Sequence, residues 1–161
     1  MPTRTSEPTA SAEITVAATP DEVYALVSDV TRTPEYAVEC VRCEWVGGTG
    51  PAVGVRFRGN NRHGNRRWTT ISEVVAAEPG ARFAFEVVTV GTRVARWEYE
   101  IAAADGGARV TESTWDQRPG WLRIASIAAT GVRDRTAENN QNIRRTLERL
   151  KVIVESNASH A

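Results

Sequence analysis

The chain has 161 residues, of which 41% are hydrophobic and 25% are charged, and its formal net charge at pH 7 is zero. This length and composition are typical of one globular domain with a sizeable core. The zero net charge excludes a general electrostatic attraction to nucleic acid or anionic membranes, and no stretch approaches the roughly 18 apolar residues that span a bilayer. We expect a soluble, cytoplasmic protein without a membrane span, either a monomer or a weak homodimer.

The first elements of the chain are a strand and two short helices. Residues 1–10 are polar and lack the apolar run of a secretory signal, so a disordered tail is predicted there. Residues 11–17 then alternate between apolar and polar, which is typical of a half-buried strand. Thr19, Pro20 and Glu22 form a capping box that predicts a helix start, and the segment 31–34 ends this helix and opens a second short one.

A run of strands follows, separated by turn residues rich in Gly, Asn, Asp and Pro. The predicted strands are Val41–Val46, Val53–Arg62, Arg66–Val75, Arg82–Val90, Arg93–Ala103 and Arg109–Trp115. Because no helix interrupts this run, the strands are expected to pair as an antiparallel meander and not as a parallel sheet.

The last segment predicts one long amphipathic helix. Its inward positions recur every three or four residues: Val132, Thr136, Asn139 or Asn140, Ile143, Leu147, Leu150 and Val154. Only the second half of this helix is strongly apolar on the inward side. We expect one domain over residues 11–156, followed by a second tail over 157–161.

The two cysteines, Cys40 and Cys43, have the C-x-x-C spacing of redox and zinc sites. A redox pair requires a helix N-terminus, whereas this segment alternates like a strand. A zinc site requires about four ligands, and His63 is the only histidine within the predicted domain. We therefore interpret both as structural thiols and expect no metal.

The order of these elements, together with several motifs, resembles the START-related, polyketide cyclase/dehydrase and lipid-transport superfamily. The similarity extends over about residues 11–155 and is carried by the segments 18–29, 50–59, 78–85 and 109–113. It implies an α+β helix-grip fold: a seven-stranded curved antiparallel sheet wrapped around the long C-terminal helix, with two short helices after strand 1 and a cavity between sheet and helix.

Aromatic side chains of the predicted sheet are the candidate ligand-binding residues. The apolar parity of the strands directs inward Phe57, Trp68, Phe83, Phe85, Trp97 and Tyr99, while Tyr36 and Trp45 are candidates for the wall or entrance. Simple core packing is the alternative for each of them. A ligand site is favoured for the set because Asn139 and Asn140 of the helix are poor partners for a dry aromatic wall.

Glu112 shares its strand parity with Val110 and pairs roughly across from Tyr99 in the predicted sheet. An ionised carboxylate in an apolar interior is costly unless it is bonded. We therefore predict that Glu112 meets Tyr99, an asparagine of the helix or an arginine. A bulge that turns Glu112 to solvent is the alternative.

The segment 118–127 lies between the last strand and the long helix and contains Trp121 and Leu122 after a Pro-Gly turn. By the resemblance, this segment sits at a mouth of the cavity. Trp121 and Leu122 form either a mobile lid or a cap on the core.

Three functions follow from these observations. The first is binding or carriage of a hydrophobic small molecule, lipid or polyketide-like, in the cavity. The second is cyclase- or aromatase-like catalysis, with Glu112 or Tyr99 assisting proton transfer. The third is an interaction module formed by the Arg-rich hairpin 56–67, for which a solvated outer face is the alternative. No nucleophilic triad, phosphate loop or dinucleotide motif is present, so no cofactor and no nucleic-acid partner are expected.

Overall fold

The computed structural model describes residues 6–160 and has the predicted helix-grip architecture. Seven antiparallel strands form one sheet in the order β1-β7-β6-β5-β4-β3-β2. The strands are β1 (Ala10–Val16), β2 (Cys40–Trp45), β3 (Arg56–His63), β4 (Arg66–Glu78), β5 (Arg82–Thr89), β6 (Thr92–Ala104) and β7 (Gly107–Asp116). The helices are α1 (Pro20–Ser28), a short 3-10 helix (Val30–Glu35), α2 (Gly120–Thr130) and α3 (Arg135–Ala158).

The start of α1 is fixed by the capping box predicted from the sequence. The Thr19 hydroxyl accepts from the Glu22 backbone N–H at 3.2 Å, and the Glu22 carboxylate accepts from the Thr19 backbone N–H at 2.8 Å. Both bonds satisfy donors that a helix start leaves free. Val23, Leu26 and Val27 are thereby directed into the core.

The sheet meander keeps the predicted register, with Tyr99 of β6 opposite Glu112 of β7. Ladder irregularities occur between Cys40 and Arg42, between Val74 and Ala76, and between Val87 and Val88. Bulges of this kind increase local twist and curvature. They allow the sheet to present one concave face to α3.

Helix α3 is attached to β1 mainly through its C-terminal half. Lys151 donates through Nζ to the Thr15 carbonyl at 3.1 Å, and the Glu155 carboxylate accepts from the Ala17 backbone N–H at 2.9 Å. The buried stripe of α3 consists of Asn139, Asn142, Ile143, Thr146, Leu147, Leu150 and Val154. The helix thus changes from polar to apolar along its inward side.

Several predicted boundaries differ from the structure. Ala10 already belongs to β1, the Thr9 N–H donates to the Thr114 carbonyl, and the Ser6 carbonyl accepts from Trp115, although a tail is predicted for 1–10. Residues 1–5 lie outside the described part of the chain. Helix α3 continues to Ala158, into the predicted tail 157–161, of which residue 161 is not described.

Two further differences are internal. The segment 53–55 is not part of β3, because the chain turns at residues 53–54, where Gly54 has a φ of +89°. Thr136 is exposed on α3, since the inward stripe passes through Asn139 and Asn142 instead.

Candidate functional site

A row of aromatic rings crosses the concave face of the sheet. Trp45 and Phe57 meet edge to face with their ring centroids 5.8 Å apart, and Phe57 meets Phe85 in the same manner at 5.0 Å. Phe83 continues the row at 6.1 Å from Phe85. These are favourable geometries for aromatic pairs. The sheet therefore brings four of the predicted wall residues into one contiguous surface.

A small residue of β4 makes this contact possible. Phe57 lies opposite Ser72 in the β3–β4 register, and Ser72 lies opposite Val87 of β5. Ser72 is buried but too short to separate the rings on either side of it. Phe57 and Phe85 consequently touch across an intervening strand.

Part of this aromatic surface is open to solvent. Phe57 and Phe83 are buried, whereas Trp45, Phe85 and Trp97 pack against the core and remain only half-buried. Trp68 is also half-buried, with the guanidinium of Arg135 at 5.7 Å from its ring centroid. We call the half-open region formed by Trp45, Phe57, Trp68, Phe85 and Trp97 the aromatic groove.

Glu112 lies at the inner end of this row. Tyr99 stands opposite Phe83 in one ladder and opposite Glu112 in the next, so the three side chains share one face of the sheet. The Tyr99 hydroxyl donates to Glu112 Oε1 at 3.1 Å within the buried interior. The predicted contact of Glu112 with Tyr99 is confirmed, and the ladder is regular at this point.

The electrostatics of Glu112 follow from its burial. Desolvation raises its pKa to about 8, against the smaller opposing effect of the hydrogen bond from Tyr99. Its second oxygen, Oε2, is buried and has no hydrogen-bond partner among the described residues. Glu112 is therefore mostly protonated at neutral pH, with one oxygen available to another molecule.

Tyr36 and the two thiols surround the same region. Tyr36 is fully buried, and burial together with the Glu112 carboxyl raises the pKa of Tyr36, while a hydrogen bond with Thr33 opposes this. A hydrogen bond with Cys40, and burial, raise the pKa of the Cys43 thiol, whereas the same hydrogen bond lowers the pKa of Cys40. The irregularity after Cys40 explains how residues three apart in a strand come together.

Helix α3 covers the site with polar side chains. Asn139 is buried and Asn140 half-buried. Two further buried polar residues, Asn142 and Thr146, were not predicted. Asn142 Oδ1 has no hydrogen-bond partner among residues 6–160. Helical spacing from Asn139 (three and seven residues on) is the sequence signal that identifies this pair.

Trp121 occupies a different position from the other predicted ligand contacts. It lies on α2 with 64% of its surface exposed, whereas Leu122 is buried. Leu122 thus caps the core, and Trp121 does not join the aromatic groove in this conformation.

A cluster of charged side chains lies near the N-terminus of α3. Glu39, His63 and Glu138 place their ligand atoms within 4.8 Å of one another, a donor set that can bind a cation. His63 Nδ1 lies 3.4 Å from Glu39 and 3.6 Å from Glu138. Arg135 donates to both oxygens of Glu39 at 3.0 Å, so the cluster already contains its own cation.

Two surface depressions lie elsewhere on the molecule. One of about 310 Å³ is formed by Glu78, Arg82, Glu100 and Arg109 among others. The second, of about 420 Å³, lies beside Ala17–Pro20 and Gly106–Gly107. Neither depression contains a predicted wall residue. The aromatic groove differs from the enclosed cavity expected from the sequence, because its rings partly fill the interior and partly face solvent.

No helix within residues 6–160 has both the length and the apolar character needed to cross a membrane.

The Arg-rich hairpin is divided into two parts. Arg56 and Arg58 form ion pairs with Glu73 and Glu44, both at 3.2 Å, as expected for a solvated outer face. Arg62, Arg66 and Arg67 have no carboxylate partner in the described part of the chain.

Comparisons with known proteins agree with this architecture. Residues 7–153 match the protein-family model described as polyketide cyclase / dehydrase and lipid transport. The solution structure of a polyketide-cyclase-like protein of Corynebacterium glutamicum is 32% identical, over 99% of this chain and 97% of that chain, with a TM-score of 0.63. No curated protein matches the sequence significantly.

More distant structures share the fold. The di-domain ARO/CYC protein StfQ of the steffimycin biosynthetic pathway is 18% identical, with a TM-score of 0.71 over 92% of this chain and 51% of that chain. A protein of Nitrosomonas europaea is 10% identical, with a TM-score of 0.70 over 92% of this chain and 95% of that chain.

Proposed function

Because the chain belongs to the polyketide cyclase / dehydrase and lipid transport family, we propose that it binds or carries a largely apolar small molecule of the lipid or polyketide class. The ligand lies in the aromatic groove, beneath the N-terminal half of α3. The observation that carries this proposal is the half-open row of rings that ends at a buried, incompletely bonded Glu112.

The two ends of the groove suit different parts of such a ligand. Trp97 and Phe85 are half-buried, so burial of their exposed ring surface against an apolar or aromatic part of the ligand is favourable. At the inner end, a protonated Glu112 donates a hydrogen bond to a ligand carbonyl, and Asn142 Oδ1 accepts one from a ligand hydroxyl. Each bond removes an unsatisfied buried polar atom, which is otherwise costly.

Native mass spectrometry of the purified protein tests the proposal. The expected result is an adduct with the mass of a lipid or a polyketide, reduced in Trp97→Ala and Phe85→Ala. Trp115→Phe is the matched control, because Trp115 bonds to the Ser6 carbonyl instead of belonging to the groove. Protein that carries no ligand and also fails to bind alizarin, a dihydroxyanthraquinone, would contradict the proposal.

A second candidate function is cyclase-like catalysis, favoured by the pKa of Glu112 near 8. A group that titrates near the working pH is an efficient proton donor and acceptor. In an aldol step on a poly-β-carbonyl chain, Glu112 would protonate the carbonyl oxygen under attack, while a base removes the proton from the attacking carbon. The carbon–carbon bond forms as the carbonyl becomes a hydroxyl.

Glu112→Gln distinguishes the two functions. An enzyme of this kind loses turnover of a poly-β-carbonyl substrate and retains binding, because glutamine keeps the size and polarity of the side chain without its acidity. A carrier shows no turnover in either form and binds in both.

A further inference from the structure

Helix α2 is oriented with its large apolar side chains toward solvent. Its protein-facing positions are Leu122, Ser126 and Thr130, and both hydroxyls donate to carbonyls within their own helix, at 2.8 Å each. Trp121, Ile124 and Ile127 point away and are 64%, 74% and 38% exposed. A surface helix ordinarily buries such residues, so this helix lacks a partner on its apolar side.

Other exposed groups lie at the same end of the sheet. The strand register places the β3–β4 and β5–β6 hairpin tips at the end where β7 leads into α2. Val90, at the tip of the β5–β6 hairpin, is 86% exposed and has a φ of +50°. A β-branched residue is strained in this left-handed conformation. The strain holds an apolar side chain out in water at this end of the sheet.

Arginines without a carboxylate partner among the described residues lie at the same end of the sheet. Arg62 and Arg67 are direct cross-strand partners, a like-charge arrangement that destabilises a sheet. Arg66 reaches α2, where its guanidinium bonds to the Ala128 carbonyl and its side chain lies 3.5 Å from the position a Cβ on Gly131 would take. Arg133 follows α2 directly. Among residues 6–160, none of these four is ion-paired to a carboxylate.

We propose that this surface, formed by Trp121, Ile124, Ile127, Val90, Arg62, Arg66, Arg67 and Arg133, docks onto an anionic lipid bilayer. An interfacial helix inserts its tryptophan and aliphatic side chains between headgroups, and nearby arginines bind the lipid phosphates. The bilayer supplies the negative charge that the described residues do not provide. The proposal concerns the outer surface and does not depend on a ligand in the groove.

Other occupants fit the patch less well. A symmetric dimer would bring two positively charged copies of the patch together, and the patch itself contains no carboxylate to pair with the arginines. Single-stranded nucleic acid is bound by aromatic stacking next to basic groups, whereas two of the three outward side chains of α2 are isoleucines.

Co-sedimentation with vesicles tests the proposal on the intact chain. Vesicles of phosphatidylcholine mixed with phosphatidylglycerol are expected to bind the protein, and vesicles of phosphatidylcholine alone to bind it weakly. Ile124→Ser should lower the affinity at least about ten-fold, and Arg67→Gln about five-fold. Added salt should weaken binding of the wild type more than binding of Arg67→Gln.

Matched controls come from the opposite end of the molecule. Val152 is 66% exposed and Arg149 is exposed, both on the C-terminal half of α3. Val152→Ser and Arg149→Gln should therefore leave vesicle binding unchanged, and circular dichroism confirms that all variants fold.

Equal binding to both kinds of vesicle would overturn the proposal, and so would equal losses of vesicle affinity in the α2 variants and the controls. A third contradicting result is a wild-type dimer in sedimentation velocity that Ile124→Ser dissociates, together with no binding to vesicles. Binding of a single-stranded oligonucleotide without vesicle binding would assign the arginines to nucleic acid instead.

Discussion

The two halves of the interior differ although one helix covers both. Along its C-terminal half, α3 presents Leu147, Leu150 and Val154, all fully buried, and is bonded to the end of β1. Along its N-terminal half it presents Asn139 and Asn142 to a sheet surface of half-open aromatic rings. The interior under the C-terminal half of α3 has the character of a folding core. The interior under the N-terminal half retains unsatisfied polar atoms and solvent-accessible rings, which is the character of a binding site.

The largest expected contrast is between two buried glutamates. Glu98 is buried on the other face of the sheet and accepts from Arg96 at 2.8 Å, whereas Glu112 lies on the groove side with only a tyrosine donor. Glu98→Gln should destabilise the fold by about 3 kcal/mol, because it leaves the largely buried Arg96 with only the longer ion pair to Glu86 at 3.7 Å. Glu112→Gln should preserve the fold.

The pH dependence of the two variants sharpens this contrast. The folded-state pKa of Glu112 is about 8, above its ordinary value of 4.5. The protonated side chain therefore contributes its full stabilisation of the fold below pH 4.5. This contribution is lost as the pH rises through 8. The loss in the wild type is on the order of 4 kcal/mol and should be absent from Glu112→Gln. Urea unfolding across this pH range measures it. A wild type as stable at pH 9 as at pH 5 contradicts a neutral Glu112.

Truncations at the two ends of the interior should also differ. Leu150 is fully buried, so Leu150→Ala should cost about 3 kcal/mol through the cavity that it leaves. Phe85 is larger but half-open to solvent, so Phe85→Ala should cost about 1–2 kcal/mol. Chemical denaturation of both variants gives the comparison, and a greater loss for Phe85→Ala would mean that the groove is part of the core.

A substitution on the polar half of α3 should stabilise the fold and weaken ligand binding. Asn142 Oδ1 is buried without a partner, so Asn142→Leu should stabilise the fold by about 1 kcal/mol. The same change should weaken alizarin binding in a fluorescence titration. Loss of stability would show that Asn142 is already satisfied in the free protein.

The smallest effect concerns the tyrosine partner of Glu112. Tyr99→Phe removes the donor to Oε1 at a cost of about 1 kcal/mol or less. Because this hydrogen bond lowers the pKa of Glu112, the variant should titrate Glu112 at a higher pH, as followed by carboxyl carbon NMR. An unchanged titration would mean that the hydrogen bond does not stabilise the carboxylate.

Much of the fold is predictable because its local patterns and its tertiary packing agree. The capping box before Val23 and the alternation around Phe83 and Phe85 specify one helix start and one sheet face. The same alternation places Glu112 beside Tyr99, so this part of the site is predictable as well.

Helix α2 was not predicted, for a physical reason. Periodicity identifies a helix by an apolar side that faces the core, and α2 directs Ser126 and Thr130 inward and its isoleucines outward. The periodicity indicates Thr136 and Asn139 or Asn140 as the inward polar positions of α3, so it does not distinguish Asn142 and Thr146 from the outward polar residues. The half-open groove depends on how far α3 stands from the sheet, a distance that sequence periodicity does not encode.

The tryptophan indole N–H resonances provide the most direct measurement. The chain contains five tryptophans, of which Trp45, Trp68 and Trp97 belong to the aromatic groove, Trp115 bonds to the Ser6 carbonyl and Trp121 is exposed on α2. Titration with alizarin is predicted to shift the three groove resonances and to leave those of Trp115 and Trp121 in place. Shifts confined to Trp115 or Trp121, with the groove resonances unmoved, would contradict a ligand site between the sheet and α3.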